Sequence, residues 1–465
     1  MKMRITAGSA GMKLYEHQKQ AVEFILDRGG SGAVYHEIGT GKTLTGLSIY
    51  SRLKEKEPDL KLLVICPISL IEAAWGEDIK KFTSFSYCNL RQDMDFADIY
   101  LINYEALLRK NYIIPEPRMC IIDESSKMKN PTAKTTKKIL SIRNQFKYRV
   151  VASGTPAPNV ETEYHSQISF VADRIFHPSF YAFRNYYFHL QRGKQAMQGQ
   201  VLSKSLAREL FSKGWKYQIT PQKKLQLTQK LQQVCHFAKK KDCLDLPEQI
   251  DEFRSVEMSK DQARFYNEMR RDAITEIRGS EIVATVALAK LMKLRQATSG
   301  FMIDTLAQAK EIPGPNPKLK ELMDLLEEAG DNQAIIWCNF HWEIETIEKL
   351  LTNKCVTLYG KTKDKDESIR LFKNGEARYL IAHGRSAGHG LTLTNCNLQI
   401  FFSLDYSWEI WEQCRGRTHR SGQRNPCVYV HLLAKDTIDW QIMGVLKRKG
   451  KAIELVEEIC KEKRG

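Results

Sequence analysis

The stretch His36-Glu37-Ile38-Gly39-Thr40-Gly41-Lys42-Thr43 decides the reading of this chain. It is a glycine-rich loop ending in Gly-Lys-Thr, set between the apolar run Gly32 to Tyr35 and a helix-like run. Backbone N–H groups of such a loop converge on phosphate at a helix N-terminus. Gly39, Thr40 and Gly41 would line the phosphates, Lys42 would reach the β and γ groups, and Thr43 would ligate Mg²⁺. His36 stands where the usual pattern has its leading Gly, and Gly-Lys-Thr alone is common by chance. The answering feature is Cys120-Ile121-Ile122-Asp123-Glu124, an apolar strand ending in two carboxylates. Asp123 would complete the magnesium shell and Glu124 would polarise the attacking water. Loop and acids together read as a nucleoside triphosphate site.

A chain of 465 residues is too long for one core and suits two or three domains. Its composition, 42% hydrophobic and 27% charged, is that of a globular protein. No apolar run approaches the ~18 to 20 residues that span a bilayer. Met1 to Lys13 has no apolar signal-peptide core. No membrane partner is expected, and the location is expected to be cytoplasmic, in a bacterial or phage-infected cell, or nuclear in a eukaryote. Eleven scattered cysteines without a Cys-x-x-Cys pair argue for reduced thiols rather than disulfides or zinc.

The net charge of +16 is concentrated. Residues 174 to 241 hold fourteen Lys or Arg against one acid, Glu209, with Phe180, Tyr181, Phe183, Tyr186, Tyr187, Phe188, Trp215 and Tyr217 interleaved. A solvated helical face over an aromatic core is the bland alternative. So one-sided a segment favours a polyanion, and nucleic acid is the obvious one.

The first 155 residues alternate apolar strand-like runs (33–35, 62–66, 99–102, 119–122, 149–153) with amphipathic helix-like ones, the pattern of a parallel sheet covered on both faces. Ligands of such sheets lie beyond the strands' carboxyl ends. From about 160 to 310 helical patterns dominate and strand signals nearly vanish. Ile312-Pro313-Gly314-Pro315-Asn316-Pro317 then reads as a linker. Alternation resumes after it, at 334–338, 356–358, 379–382, 398–402 and 428–432. The expected boundaries are a first α/β lobe over 1–159, a helical basic insertion over 160–311, a linker over 312–317, a second α/β lobe over 318–445 and a charged C-terminal helix over 446–465.

Further motifs stand in order along the chain. They are Leu14-Tyr15-Glu16-His17-Gln18, Val64-Ile65-Cys66-Pro67 with Ser69-Leu70 and Trp75, Ile102-Asn103-Tyr104-Glu105, Ser153-Gly154-Thr155-Pro156, Ser386 to Leu393, Asp405-Tyr406-Ser407-Trp408, and Gln413-Cys414-Arg415-Gly416-Arg417-Thr418-His419-Arg420-Ser421-Gly422-Gln423. With these, the chain from about Leu14 to Leu455 resembles the motors of helicase superfamily two, and more narrowly the Swi/Snf-type DNA translocases. Weaker strings, Lys241-Asp242 with Leu246-Pro247, Leu294-Arg295-Gln296 and Lys318-Leu319, sit where family members have comparable ones.

The resemblance implies two RecA-like P-loop lobes with a helical insertion, ATP and Mg²⁺ held between the lobes, and translocation along double-stranded DNA without strand separation. It implies that Gln18 reads adenine, that Gly388 and Gly390 help hold nucleotide, and that Arg417 and Arg420 act as arginine fingers. Such a guanidinium stabilises the spread charge of a phosphoryl transition state, a contribution of ~10³ to 10⁵ in rate. Three positions apart, the two would share one face of a helix turn. The DNA contacts it implies fall at Ser69, Thr155, Thr392 and Trp408, the last equally able to be a packing residue. The basic segment adds Lys239, Lys240 and Lys241.

One departure stands out: the family usually has Asp-Glu-Ala/Gly-His, and here Ser125-Ser126 follows Asp123-Glu124. Either the Ser126 hydroxyl replaces the missing His, or coupling between lobes is looser. A bare, monomeric motor of bacterial or phage origin is expected. The rivals are an RNA or single-strand helicase of the same superfamily, and a motor subunit or DNA-binding scaffold working with a separate nuclease or a replication or repair protein.

Overall fold

The computed structural model describes residues 13–448 except 93–94, 110–116, 158–159, 193–194, 198–205, 207–209, 211–214, 280–283, 305–306 and 388–390, and leaves the side chains of 272–288 and 387 undescribed. It divides into two compact units, Met1–Leu244 and Asp245–Gly465. Each is built on a parallel sheet.

The first sheet contains β1 (Gly32–His36), β2 (Leu62–Cys66), β3 (Tyr87–Asn89), β4 (Ile99–Asn103), β5 (Met119–Asp123), β6 (Tyr148–Ala152) and β10 (Cys235–Ala238), in the order β10-β1-β6-β5-β2-β4-β3. Every pairing is parallel. The strands are short apolar runs because both faces are covered. Alternate residues part to opposite sides: Leu63, Ile65, Cys120 and Ile122 enter one core cluster, and Leu62, Val64, Met119 and Ile121 the other. Each such side chain contributes on the order of 1.5–3 kcal/mol by leaving water. Between β6 and β10 lies a small antiparallel sheet, β8-β7-β9, of β7 (Phe188–Arg192), β8 (Gln195–Met197) and β9 (Lys216–Ile219).

The second sheet contains β11 (Gln249–Val256), β14 (Ala334–Cys338), β15 (Cys355–Leu358), β16 (Tyr379–His383), β17 (Leu398–Phe401) and β18 (Cys427–Ala434), in the order β11-β18-β17-β14-β16-β15, again all parallel. A hairpin, β12 (Phe301–Ile303) with β13 (Ala309–Glu311), follows the helices Lys260–Gly279 and Ala284–Thr298.

The expected helical insertion over 160–311 is therefore corrected. It is divided between the two units and contributes an edge strand to each large sheet. β11 interrupts Ile250, Phe253 and Val256 with charged Asp251, Glu252 and Arg254, and β10 runs straight into Lys239, so neither shows a continuous apolar signal. The proline-rich stretch 312–317 is no linker either. Ile312 is buried and its N–H bonds Gly300 O at 2.9 Å, while Asn316 caps the helix Pro317–Glu328 by accepting from Leu319 N at 3.3 Å. Pro317 occupies the first helical turn, where its missing N–H costs nothing. The second unit begins near residue 245 rather than 318. The expected C-terminal helix lies almost wholly outside the described residues, the last described helix being Ile438–Lys447. Among the described residues no helix is long and apolar enough to cross a membrane.

Candidate active site

In the first unit the chemistry gathers at the carboxyl ends of β1, β6 and β5, three neighbours in the sheet. β1 runs into the loop 37–41, where Gly39 and Gly41 hold φ of +89° and +79°. Only glycine adopts such angles without strain, and they turn the backbone over the helix Lys42–Lys54. A side chain at 41 would also collide with Gln18 Nε2. Thr40 folds its hydroxyl back onto Glu37 O at 2.8 Å. Lys42 curls over the loop, its Nζ 3.2 Å from His36 O and 3.4 Å from Glu37 O. Thr43 is the second residue of the helix and half-buried.

Gln18 braces this arrangement. Its Nε2 donates to Thr40 O and Gly41 O, both at 3.1 Å, its Oε1 accepts from Tyr15 N at 2.9 Å, and the residue is buried. His17 adds Nε2 to Thr40 O at 3.0 Å. The unusual His36 is fully buried and meets His236 of β10 at 2.8 Å. Burial, with His236, Lys42 and His17 nearby, pushes the His36 pKa down to about 2.

β5 delivers the acids. Asp123 is buried, its Oδ2 accepting from Trp75 Nε1 and its Oδ1 from Glu124 N, each at 2.9 Å. Burial pushes the Asp123 carboxyl above the ordinary aspartate range, against the pull of Lys42 and of these two hydrogen bonds. Glu124 holds a left-handed backbone, φ 52° and ψ 52°, a strained conformation for a side chain with a Cβ. Tyr104 Oη donates to Asp123 O at 2.7 Å and Glu124 O at 3.2 Å. Thr43 and Asp123 supply oxygen donors, one of them a dehydrated carboxylate, the kind that suits Mg²⁺.

The turn after β6 closes the group. Gly154 lies so near the loop that an added Cβ would meet Ile38 Cγ1 at 2.6 Å and Lys42 Nζ at 3.4 Å. Thr155 is buried, 7% exposed. Lys240 is likewise buried, and its N–H bonds Glu37 Oε2 at 2.9 Å, tying the end of β10 to the loop. Lys239, Lys241 and Thr392 are exposed, and Ser69 and Trp408 are half-buried. The aromatics of the basic segment divide: Phe183, Tyr187 and Phe188 are buried, Phe180, Trp215 and Tyr217 are half-buried, and Tyr181 and Tyr186 are exposed, the last with Lys223 Nζ 3.5 Å from its ring centre.

The second unit carries the arginines. The helix Trp408–Arg415 ends before Arg417, so Arg417 and Arg420 sit on the turn that follows it rather than on one helical face. They still converge, donating to the same Leu391 O at 3.2 and 3.0 Å. Arg417 is buried and also bonds Gln413 O at 2.8 Å; Arg420 is half-buried. Gly388 and Gly390 lie outside the described residues. β11 braces this turn: His419 contacts Gln249 and, at 2.9 Å, Pro247 O, and Arg415 bonds Asp251 at 3.0 Å while stacked between Trp411 and Tyr429, 4.4 Å from each. Sequence reading missed Trp75 Nε1, Tyr104 and β11 in these supporting roles. Trp75 and Tyr104 were visible inside motifs, but nothing local marks what they hold.

Comparison with known proteins identifies this assembly. The model of the SNF2-related domain matches residues 17–300, and that of the helicase conserved C-terminal domain matches 317–422. The chain belongs to the SNF2-related family. As a member it carries a helicase-like ATPase core. The p41 protein of Acyrthosiphon pisum secondary endosymbiont phage 1 is 25% identical over 96% of this chain and 98% of its own length. A Caenorhabditis elegans homolog of SWI/SNF-related matrix-associated actin-dependent regulator of chromatin subfamily A-like protein 1 is 20% identical over 94% of this chain. This SNF2-related chain spans 61% of that protein's length. The Sulfolobus solfataricus SWI2/SNF2 ATPase core in complex with dsDNA aligns over 99% of this chain and 96% of its own, at 22% identity and a TM-score of 0.44.

Proposed function

We propose that this SNF2-related chain hydrolyses ATP in response to duplex DNA and uses the cycle to move along the duplex without separating its strands, remodelling DNA structures or displacing bound proteins. The observation that carries the reading is the meeting of Lys42, on the loop beyond β1, with Asp123 and Glu124 at the end of β5, the two strands that flank β6, within a family of ATP-dependent motors. The loop 37–43 would cradle the phosphates. Mg²⁺, held by Thr43 and Asp123, would neutralise charge on the phosphate oxygens. Glu124 would orient and deprotonate the attacking water. Arg417 and Arg420 would stabilise the transition state, Arg420 by direct contact and buried Arg417 by fixing the turn. The partner is double-stranded DNA, and the working form a monomer. A nuclease or a replication or repair protein is a further partner to seek.

ATP turnover measured without nucleic acid and with duplex, single-stranded and forked DNA and RNA tests this. Duplex should stimulate most, and strands of a forked substrate should stay paired. Stimulation confined to single strands, with unwinding, would establish the helicase reading instead. The basic segment is proposed to grip the DNA backbone through its exposed members. Lys239→Gln with Lys241→Gln should therefore weaken duplex binding at every sequence, the log–log salt slope shrinking by about 0.9 per lost phosphate contact. An unchanged slope removes these two from the interface.

A further inference from the structure

Gln167 is fully buried in the helix Tyr164–Val171 and makes a complete set of hydrogen bonds. Its Oε1 accepts from Ser125 Oγ at 2.6 Å and from Tyr35 Oη at 3.3 Å. Its Nε2 donates to Pro156 O at 2.6 Å and to Glu163 O at 2.9 Å. Three of these partners lie on β1 or just beyond β5 and β6, the strands whose ends carry the phosphate loop, the acids and the turn that presses Gly154 onto Ile38 and Lys42. One amide therefore joins the acid turn to the turn packed on the phosphate loop.

The connection bears on Glu124. A non-glycine residue in the left-handed region persists only where its surroundings over-determine it. Tyr104 holds the Asp123 and Glu124 carbonyls. Ser125, the next residue, is held by Gln167. A buried network in which every member is satisfied is rigid, whereas a partly satisfied one is costly. Ser125 is one of the two positions where the chain departs from the family's usual second motif, so the hydroxyl that completes the network belongs to that departure.

We propose that Gln167 is a positioning residue for ATP hydrolysis, holding the strained Glu124 backbone through Ser125 and keeping it in register with Lys42 through the Pro156 turn. The inference rests on the proposed ATPase function. It is tested in the full chain with Gln167→Leu, Ser125→Ala and the double variant, by measuring kcat and KM for ATP, ATP affinity and melting temperature. Gln167→Leu should lower kcat on the order of tenfold, the scale of a buried hydrogen-bond pair, with KM within about twofold. Ser125→Ala should lower kcat less, and the double variant should be no worse than Gln167→Leu alone, since both break one path. A residue that only supports the fold would move melting temperature, ATP affinity and kcat together, and the two substitutions would add. If Gln167→Leu does not fold, Ser125→Ala decides: a kcat within error of the unaltered protein overturns the inference. So does a folded Gln167→Leu with unaltered kcat. No ATP turnover in the unaltered protein would overturn the functional reading itself, an outcome distinct from both.

Discussion

The acid turn of the first unit and the arginine turn of the second solve opposite problems. Asp123 and Glu124 are anions removed from water, and the surrounding groups are donors: Trp75 Nε1 to Asp123, the Glu124 N–H to the same carboxylate, and the Lys42 charge nearby. Arg417 and Arg420 are cations, and the groups that meet them are backbone carbonyls, Leu391 O and Gln413 O. The acids stand directly at a strand end, so the sheet itself aims them. The arginines stand on an irregular turn, held by shared carbonyls, while their neighbours Arg415 and His419 are braced by Gln249 and Asp251 of β11 and by Pro247 just before it. A strand end suffices to place a short carboxylate, but a long guanidinium needs contacts from elsewhere in the chain.

The sharpest way to break this contrast is Arg420→Lys. An ammonium lacks the planar fork that grips phosphate oxygens, so hydrolysis should fall by about 10³ while ATP still binds the first unit. Normal turnover would remove Arg420 as a finger and leave both arginines as braces. Glu124→Gln should come next, with turnover down by about 10² and ATP retained with Mg²⁺ in an equilibrium binding assay. Near-normal hydrolysis would show that the strained Glu124 backbone serves something other than the water.

Trp75→Phe sharpens the donor half of the comparison, since an aromatic ring is kept while the pyrrole part of the indole, with its N–H, is lost. With that hydrogen bond gone, the Asp123 pKa rises further and protons compete with the metal at higher pH. The Mg²⁺ concentration for half-maximal turnover should rise by roughly tenfold, more at pH 6 than at pH 8. An unchanged Mg²⁺ requirement would reduce Trp75 to packing.

The smallest effect concerns His36. Its folded pKa is depressed to about 2 by burial, so below the ordinary histidine value of 6.5 the unfolded chain takes up a proton that the folded chain refuses. Stability is thus lost as pH falls from about 6.5, by at most about 1.4 kcal/mol per pH unit for this residue. His165, His236, His383 and His431 are depressed as well and add to the acid sensitivity. His36→Gln should flatten the pH dependence of denaturant unfolding by up to about one proton; an unchanged slope would mean that folded His36 titrates freely.

What the amino-acid order alone determined was local. Leu62–Cys66 and Met119–Asp123 are apolar enough to be read as buried strands, and Gly39, Gly41 and Lys42 announce a phosphate loop, because backbone conformation and burial on both faces leave signatures within a few residues. The sequence stayed silent on β10 and β11, edge strands whose polar residues mask the strand pattern, and so on where the units divide. It marked 312–317 as a linker, whereas that stretch lies inside the second unit with Ile312 bonded to Gly300, and it left unsaid that Gln18, Thr155 and Lys240 are buried. Only the tertiary structure brought Trp75 to Asp123, 48 positions away, and Gln167 to Ser125, 42 away, since a hydrogen bond between distant side chains leaves no pattern along the chain.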